Sequence, residues 1–168
     1  MPTLADVFDA DLSGRYLVNF KGDRRLEGEV LAARLETGNE PLWAVYGGAN
    51  PTQATLAATS LRGFDRGSLK YCLIRYALTG WAGRAPAACA DMIVAVPMDY
   101  GPYLWGWPHK FTRRMKAVGT DVILWGPYDG SGFSSGVDDA ETLSRVPAQF
   151  DGYIWTNRIE VIGPMVGR

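Results

Sequence analysis

The sequence predicts an α/β fold of parallel strands joined by helices, and three observations predict it. Short β-branched or aromatic runs alternate with helix-periodic stretches along the whole chain, the pattern of parallel strands and right-handed crossovers. MIVAVPM (92–98) is continuously apolar, and DVILWGP (121–127) repeats the mark after Asp121, as strands covered on both faces do. Polar and aromatic residues gather where the runs end: Lys21, Tyr46, Asp99 and Tyr100, Trp125 to Tyr128, and Trp155 to Asn157.

Taken in order, YLVNFKG (16–22) is strand-like. Helical spacing begins at Arg24, with Leu26, Val30, Leu31 and Leu35 in period, and Gly38 with Asn39 ends it. PLWAVYGG (41–48) is the next strand. NPTQATLAATSL (50–61) is a helix that opens on Asn50 as N-cap with Pro51 at the first helical position. LRGF (61–64) is a short strand. GSLKYCLIRYALTGW (67–81) is a helix with Leu69, Cys72, Leu73, Tyr76 and Ala77 on one face. The run at 92–98 follows as a strand, then PHKFTRRMKAVG (108–119) as a helix bounded by Pro and Gly, then the run at 121–127. VDDAETLSRV (137–146) is a helix with three carboxylates in its first turn, which suits the helix dipole. GYIWTN (152–157) closes the series as the sixth strand. No repeat, low-complexity tract or linker interrupts it, so residues 1–168 read as a single domain.

Composition narrows the function classes. Nearly half of the 168 residues are apolar, at 47%, enough for a sizeable core. The net charge is −1 and no basic stripe or run of like charges occurs, which argues against a nucleic-acid partner. No run approaches the ~20 apolar residues that span a bilayer, and the acidic start MPTLADVFDAD does not read as a signal peptide. Cys72 and Cys89, the two cysteines, read as buried small apolar groups rather than a disulfide framework or a zinc site.

Two architectures suit the alternation. An open doubly wound sheet carries a Gly-rich phosphate turn after an early strand, and no G-x-G-x-x-G or G-x-x-x-x-G-K-S/T follows any strand here. A (β/α)8 barrel places its functional groups at the C-terminal ends of several strands, as this chain does.

Four motifs, PTLADVF (2–8), LVNFK (17–21), NP (50–51) and FDGYIWTNRIEVIG (150–163), occur in an order and spacing that resemble the glycerophosphodiester phosphodiesterase family. The stretches GWAGRAPAACADMIVAVP (80–97) and WGWPHKFTRRM (105–115) look like a bacterial branch of it, so the resemblance covers essentially the whole chain. It implies a metal-dependent (β/α)8 barrel that cleaves glycerophosphodiesters to glycerol 3-phosphate and an alcohol. The family's H-R-G, its Glu-x-Asp metal pair and a further His have no counterpart here. The resemblance therefore implies a TIM-barrel-like fold that is incomplete, lacking its first two strands, with ~80 residues expected before Met1 and this chain supplying strands three to eight.

Leu17, Asn19 and Lys21 share one face of an extended strand, with Val18 and Phe20 on the other. Lys21 is either a strand-end lysine reaching to water or, as the resemblance implies, the catalytic cation that steadies phosphate charge. Asn19 falls where the resemblance implies a metal-ligating Glu. It is either a weak, uncharged metal ligand or an interior amide satisfied by hydrogen bonds. Asp23 reads as a cap or turn residue. The resemblance puts Trp125 near the substrate, where it walls the site, packs on a choline-like head group, or merely fills the strand ends. Trp155 is substrate-binding or core filler. Tyr100, Tyr103, Trp105 and Trp107 form one aromatic loop, either a binding wall or a cover for apolar surface. His109, the only histidine, reads as a helix-start residue. Asp99 and Asp129 are unpaired strand-end carboxylates, and the Gly/Ser-rich DGSGFSSGVDDAE (129–141) reads as a loop and cap rather than a phosphate nest, because Asp138, Asp139 and Glu141 would repel an anion.

Two functions follow from the resemblance. One is metal-dependent phosphodiester hydrolysis in the parent protein, on a small phosphodiester substrate, with Mg²⁺ or Ca²⁺ as cofactor of the complete family barrel. The other is a non-catalytic remnant or binding module of the same fold, holding no metal, whose open barrel edges would let it self-associate. An aromatic carbohydrate-binding module is a third and weaker idea, because the alternating helices do not suit it.

Overall fold

The computed structural model describes residues 3–10, 14–37, 42–128, 130 and 135–166. A short helix α1 (Leu4–Asp9) opens the chain on a capping box, in which the Asp6 amide donates to Thr3 Oγ1 and Asp6 Oδ2 accepts from the Thr3 amide. The expected alternation follows: β1 (Tyr16–Phe20), α2 (Arg25–Thr37), β2 (Leu42–Gly47), α3 (Ala49–Ala58), β3 (Arg62–Asp65) and α4 (Arg66–Thr79). It continues with β4 (Ile93–Pro97), α5 (His109–Lys116), β5 (Asp121–Trp125), α6 (Ala140–Ser144), β6 (Tyr153–Ile154) and a terminal α7 (Ile159–Met165) that the sequence pattern did not reveal. The chain divides after Ser68 into two compact units. No helix among the described residues is long and apolar enough to cross a membrane.

The first unit holds a parallel sheet in the order β1-β2-β3. Its register sets Val18, Val45 and Gly63 abreast on one face and Asn19, Tyr46 and Phe64 on the other. α2 and α3 pack on each other at a crossing that depends on Gly28, where a Cβ would come within 2.0 Å of the Pro51 carbonyl oxygen. The Thr55 hydroxyl donates to the carbonyls of Pro51 and Gly28, at 3.0 and 3.2 Å, and so joins the two helices there. Gly28, Leu31 and Ala32 are the buried face of α2, whereas Leu26 and Val30, also in helical period, face outward. α3 begins two residues earlier than the Asn50 cap suggests. Its N-cap is Gly48, and the Asp23 carboxylate before α2 accepts from the Asn50 amide at 2.9 Å. The Gly38 and Asn39 stop lies outside the described residues.

The second unit holds the sheet β4-β5-β6, also parallel. Ile93 to Val96 and Val122 to Leu124 are buried, as their unbroken apolar runs predict. Phe111 and Met115 of α5 are fully buried, and Phe111 meets Tyr76 of α4 edge-on at 5.0 Å. Met98, Leu124 and Val137 form a further cluster, closed over by Trp107, Phe150 and Ile154 among others. Arg114 Nη1 donates to Tyr76 Oη at 2.8 Å and to the Gly80 carbonyl at 3.0 Å, tying α5 to the end of α4.

Two expectations are corrected. The six strands do not belong to one incomplete (β/α)8 barrel; they form two separate three-stranded parallel sheets. Alternation fixes strand direction within each βαβ unit, which is a local property. A barrel also needs an unbroken ladder from each strand to both neighbours, and no ladder joins β3 to β4 among the described residues. At the far edge β6 is two residues long and pairs with β5 alone. The second correction concerns Cys72 and Cys89. Both are fully buried, as expected, but they are joined as a disulfide. A turn at Gly80 to Ala82 and a second at Ala87 to Cys89 bring the chain back against α4, which spacing alone does not announce.

The bridge closes a short loop, its two ends at a sequence separation of 17. Loop-closure entropy then predicts that reduction, or Cys72→Ser with Cys89→Ser, lowers stability by about 3 kcal/mol. Urea unfolding with and without dithiothreitol measures this, and superimposable curves would argue against the bridge.

Candidate functional site

The carboxyl edge of the first sheet is where its strands deliver polar groups. Asn19 lies opposite Tyr46, and Tyr46 opposite Phe64. The Tyr46 and Phe64 rings stack with centroids 5.3 Å apart, and Asn19 Nδ2 donates to Tyr46 Oη at 2.7 Å. Burial pushes the Tyr46 phenol up, and the bond from Asn19 offsets only part of that, so the phenol keeps its proton. Gly47 lets β2 end this close to β1: its φ is +122°, and a Cβ there would sit 2.2 Å from the Phe20 carbonyl oxygen. Strand alternation carries Lys21 to the side of Asn19. Lys21 is exposed and makes no hydrogen bond or ion pair with another described residue.

On the opposite face, Asp65 ends β3 and is buried. Its Oδ1 accepts from the amides of Gly67 and Ser68 at 2.7 and 3.0 Å, and Oδ2 accepts from Gln53 Nε2 at 2.7 Å. Asp65 therefore caps α4 and ties it to α3. Burial alone would raise its pKa; the bonds from the Ser68 amide, the Gln53 side chain and the Gly67 amide outweigh it and hold the carboxyl below its ordinary value. The sequence reading passed over Asp65 and Gln53, although Asp65 followed by Ser68 at N-cap spacing was a usable signal.

Among the described residues, the donors do not fit the divalent cation that the family resemblance implies. No group of three His, Cys, Asp or Glu side chains among the described residues could hold a metal. Asn19 offers only an uncharged amide oxygen, Asp65 is committed to a helix cap, and Asp23 holds Asn50 through both carboxylate oxygens.

In the second unit the strand ends form an aromatic cluster. Trp125 and Trp155 meet edge-on at 6.4 Å, and Tyr100 lies 5.8 Å from Tyr128. Asp99 accepts from the Tyr128 amide at 2.8 Å and from Arg145 Nη2 at 3.2 Å. A pocket of about 440 Å³ beside this pair is lined by Met98, Asp99, Tyr103, Trp107 and Arg145 among others. Arg145, absent from the sequence-derived set, gives that pocket a cation. Trp107 also packs on Phe111 and Phe150, each at 5.6 Å. Trp105 turns toward α4, where its Nε1 donates to the Ala77 carbonyl at 2.8 Å, and does not line the pocket. His109 is the exposed first residue of α5.

The acidic stretch before α6 is used structurally. Asp139 is the N-cap and accepts from the Thr142 amide at 2.7 Å. Asp138 accepts from the Asn157 amide and side chain and from the Thr156 hydroxyl, at 2.6, 3.0 and 3.0 Å. Burial raises the Asp138 carboxyl less than those bonds, with the nearby Arg158 charge, lower it. Asp129 lies outside the described residues.

Comparison of the chain with protein-family models, with curated proteins and with solved structures gives no match.

Asp65→Ala is expected to cost about 1–2 kcal/mol, the upper range for losing an N-cap. Because the folded carboxyl titrates below its ordinary value of 3.8, its contribution is complete above that value and is lost as pH falls through the lowered one. Thermal melts of the wild type and Asp65→Asn between pH 7 and pH 3 measure this. The two should converge toward the acid end, and a constant gap would contradict the assignment.

Proposed function

We propose that the chain serves the hydrolysis of glycerophosphodiesters to glycerol 3-phosphate and an alcohol, with the phosphate received at the carboxyl edge of the first sheet. The observation that carries this reading is Lys21. It is an exposed cation one residue past β1, on the side of the Asn19–Tyr46 pair, with no anionic partner among the described residues. Ligands of parallel α/β sheets bind beyond the carboxyl ends of the strands. A phosphodiester carries one negative charge on its non-bridging oxygens, and charge builds there as water adds to phosphorus and the P–O bond to the alcohol breaks. A lysine ammonium is a compact charge suited to those oxygens, and the protonated Tyr46 hydroxyl suits a neutral hydrogen bond beside it. The likeness of LVNFK (17–21) to the phosphodiesterase strand end supports the same assignment.

A second reading, binding without turnover, is favoured by Asn19. It stands where a metal-ligating carboxylate is implied, and it brings only an uncharged amide there.

Calorimetric titration with glycerol 3-phosphate tests the binding that both readings share. Lys21→Ala should weaken it about tenfold or more, the worth of one charge-assisted hydrogen bond, and Lys21→Arg should recover part of the loss. Equal affinity in Lys21→Ala would remove the basis of both. Release of glycerol 3-phosphate from glycerophosphocholine, with Mg²⁺ or Ca²⁺ present, separates them: turnover supports hydrolysis, and binding without turnover supports the second reading.

A further inference from the structure

The helix α4 has two apolar faces, and only one is buried. Cys72 and Tyr76 point into the second unit. Tyr71, Ile74 and Leu78 recur at helical spacing on the opposite side, Trp81 follows them in the turn Gly80 to Ala82, and the four are 47–70% exposed. This is one contiguous stripe rather than scattered surface residues. All four belong to the second unit.

The charge around the stripe points to its partner. Lys70 and Arg75 flank it on the helix, and Arg84 follows Trp81 by three residues. All three are exposed, and none pairs with a carboxylate among the described residues. No Asp or Glu occurs from residue 66 to residue 90, in a chain whose net charge is −1. An apolar stripe with Trp and Tyr, bordered by cations and cleared of anions, matches a helix lying in the headgroup region of a membrane. The hydrogen bonding also suits that medium. Trp81 Nε1 donates to the Leu78 carbonyl at 3.1 Å, Trp105 Nε1 to the Ala77 carbonyl at 2.8 Å, and Thr79 Oγ1 to the Arg75 carbonyl at 2.8 Å. Carbonyls at the end of α4 thus have partners within the protein, which limits the polar groups that would enter the acyl boundary unsatisfied.

We infer that this face of α4 docks the chain on the surface of an anionic phospholipid bilayer, with Leu78 and Trp81 in the acyl boundary and Lys70, Arg75 and Arg84 on lipid phosphates. The docking is peripheral, and it stands apart from the phosphodiester reading, since it uses no residue of the first sheet.

Co-sedimentation of the full chain with two vesicle preparations tests it: phosphatidylcholine alone, and phosphatidylcholine mixed equally with phosphatidylglycerol. The chain should pellet with the mixed vesicles, much less with phosphatidylcholine alone, and less as salt is raised. Lys70→Ala with Arg75→Ala should weaken binding to the mixed vesicles about 30-fold, given the attraction of each cation to an anionic surface. Leu78→Ser with Trp81→Ser should abolish it. If that variant melts early, the charge pair, on exposed positions, decides alone. Failure of the wild type to pellet, or equal binding to both vesicles, would overturn the inference. So would a concentration-dependent dimer, seen by sedimentation velocity, that Leu78→Ser dissolves, because a second copy would then cover the stripe.

Discussion

The close approach of α2 and α3 at Gly28 is the contact on which the first unit depends. Two crossover helices on one side of a three-stranded parallel sheet must share the surface above β1 and β2. Here they do so with the Gly28 backbone set against the Pro51 carbonyl, at a separation that leaves no room for a Cβ. The Thr55 hydroxyl bonds to both helices at the same point. Because each helix is tied to a strand by a short connection, their spacing helps set how β1 and β2 end. Asp23, between β1 and α2, fastens to Asn50 in the first turn of α3 and closes the same arrangement from the other side. The Asn19–Tyr46 pair and Lys21 stand on that frame.

The polar groups of the first sheet are divided by strand face. Asn19 and Tyr46 lie on one face, with a neutral hydrogen bond and a protonated phenol. Asp65 lies on the other, and its charge is taken up by amides and by Gln53. Lys21 has no ion-pair partner among the described residues, which leaves its charge available to an anion. In the second unit the cation at the strand ends is Arg145, and Asp99 holds it.

Much of the local structure was legible in the sequence, and the reasons are specific. The runs at 92–98 and 121–127 became β4 and β5 because they are short and rich in β-branched residues, which suits a doubly covered strand better than a helix. Of the stripe read at Leu69, Cys72, Leu73, Tyr76 and Ala77, Cys72 and Tyr76 are fully buried, Leu69 and Leu73 half-buried, and Ala77 exposed. The buried side of α2 was not legible, because Gly28 and Ala32 mark a close contact through small size, whereas the pattern gives weight to Leu26 and Val30. The start of α3 was misplaced because its cap comes from Asp23, distant in sequence. The barrel was overread for a related reason: alternation reports each strand and its crossover, but whether β3 pairs with β4 is a long-range matter. The Cys72–Cys89 bridge is long-range in the same sense. At the candidate site Lys21 and Asn19 were legible through strand alternation and a family likeness. Arg145 was not, since nothing local to α6 signals that it will meet Asp99.

The central claim is that the carboxyl edge of the first sheet receives a phosphate group. Amide chemical-shift mapping of the labelled chain during addition of glycerol 3-phosphate tests it most directly. Saturable shifts are expected at Asn19 to Gly22 and at Tyr46 to Gly48, with little change at the N-terminal ends of the same strands. Saturable shifts confined to other segments, with those residues unmoved, would contradict it.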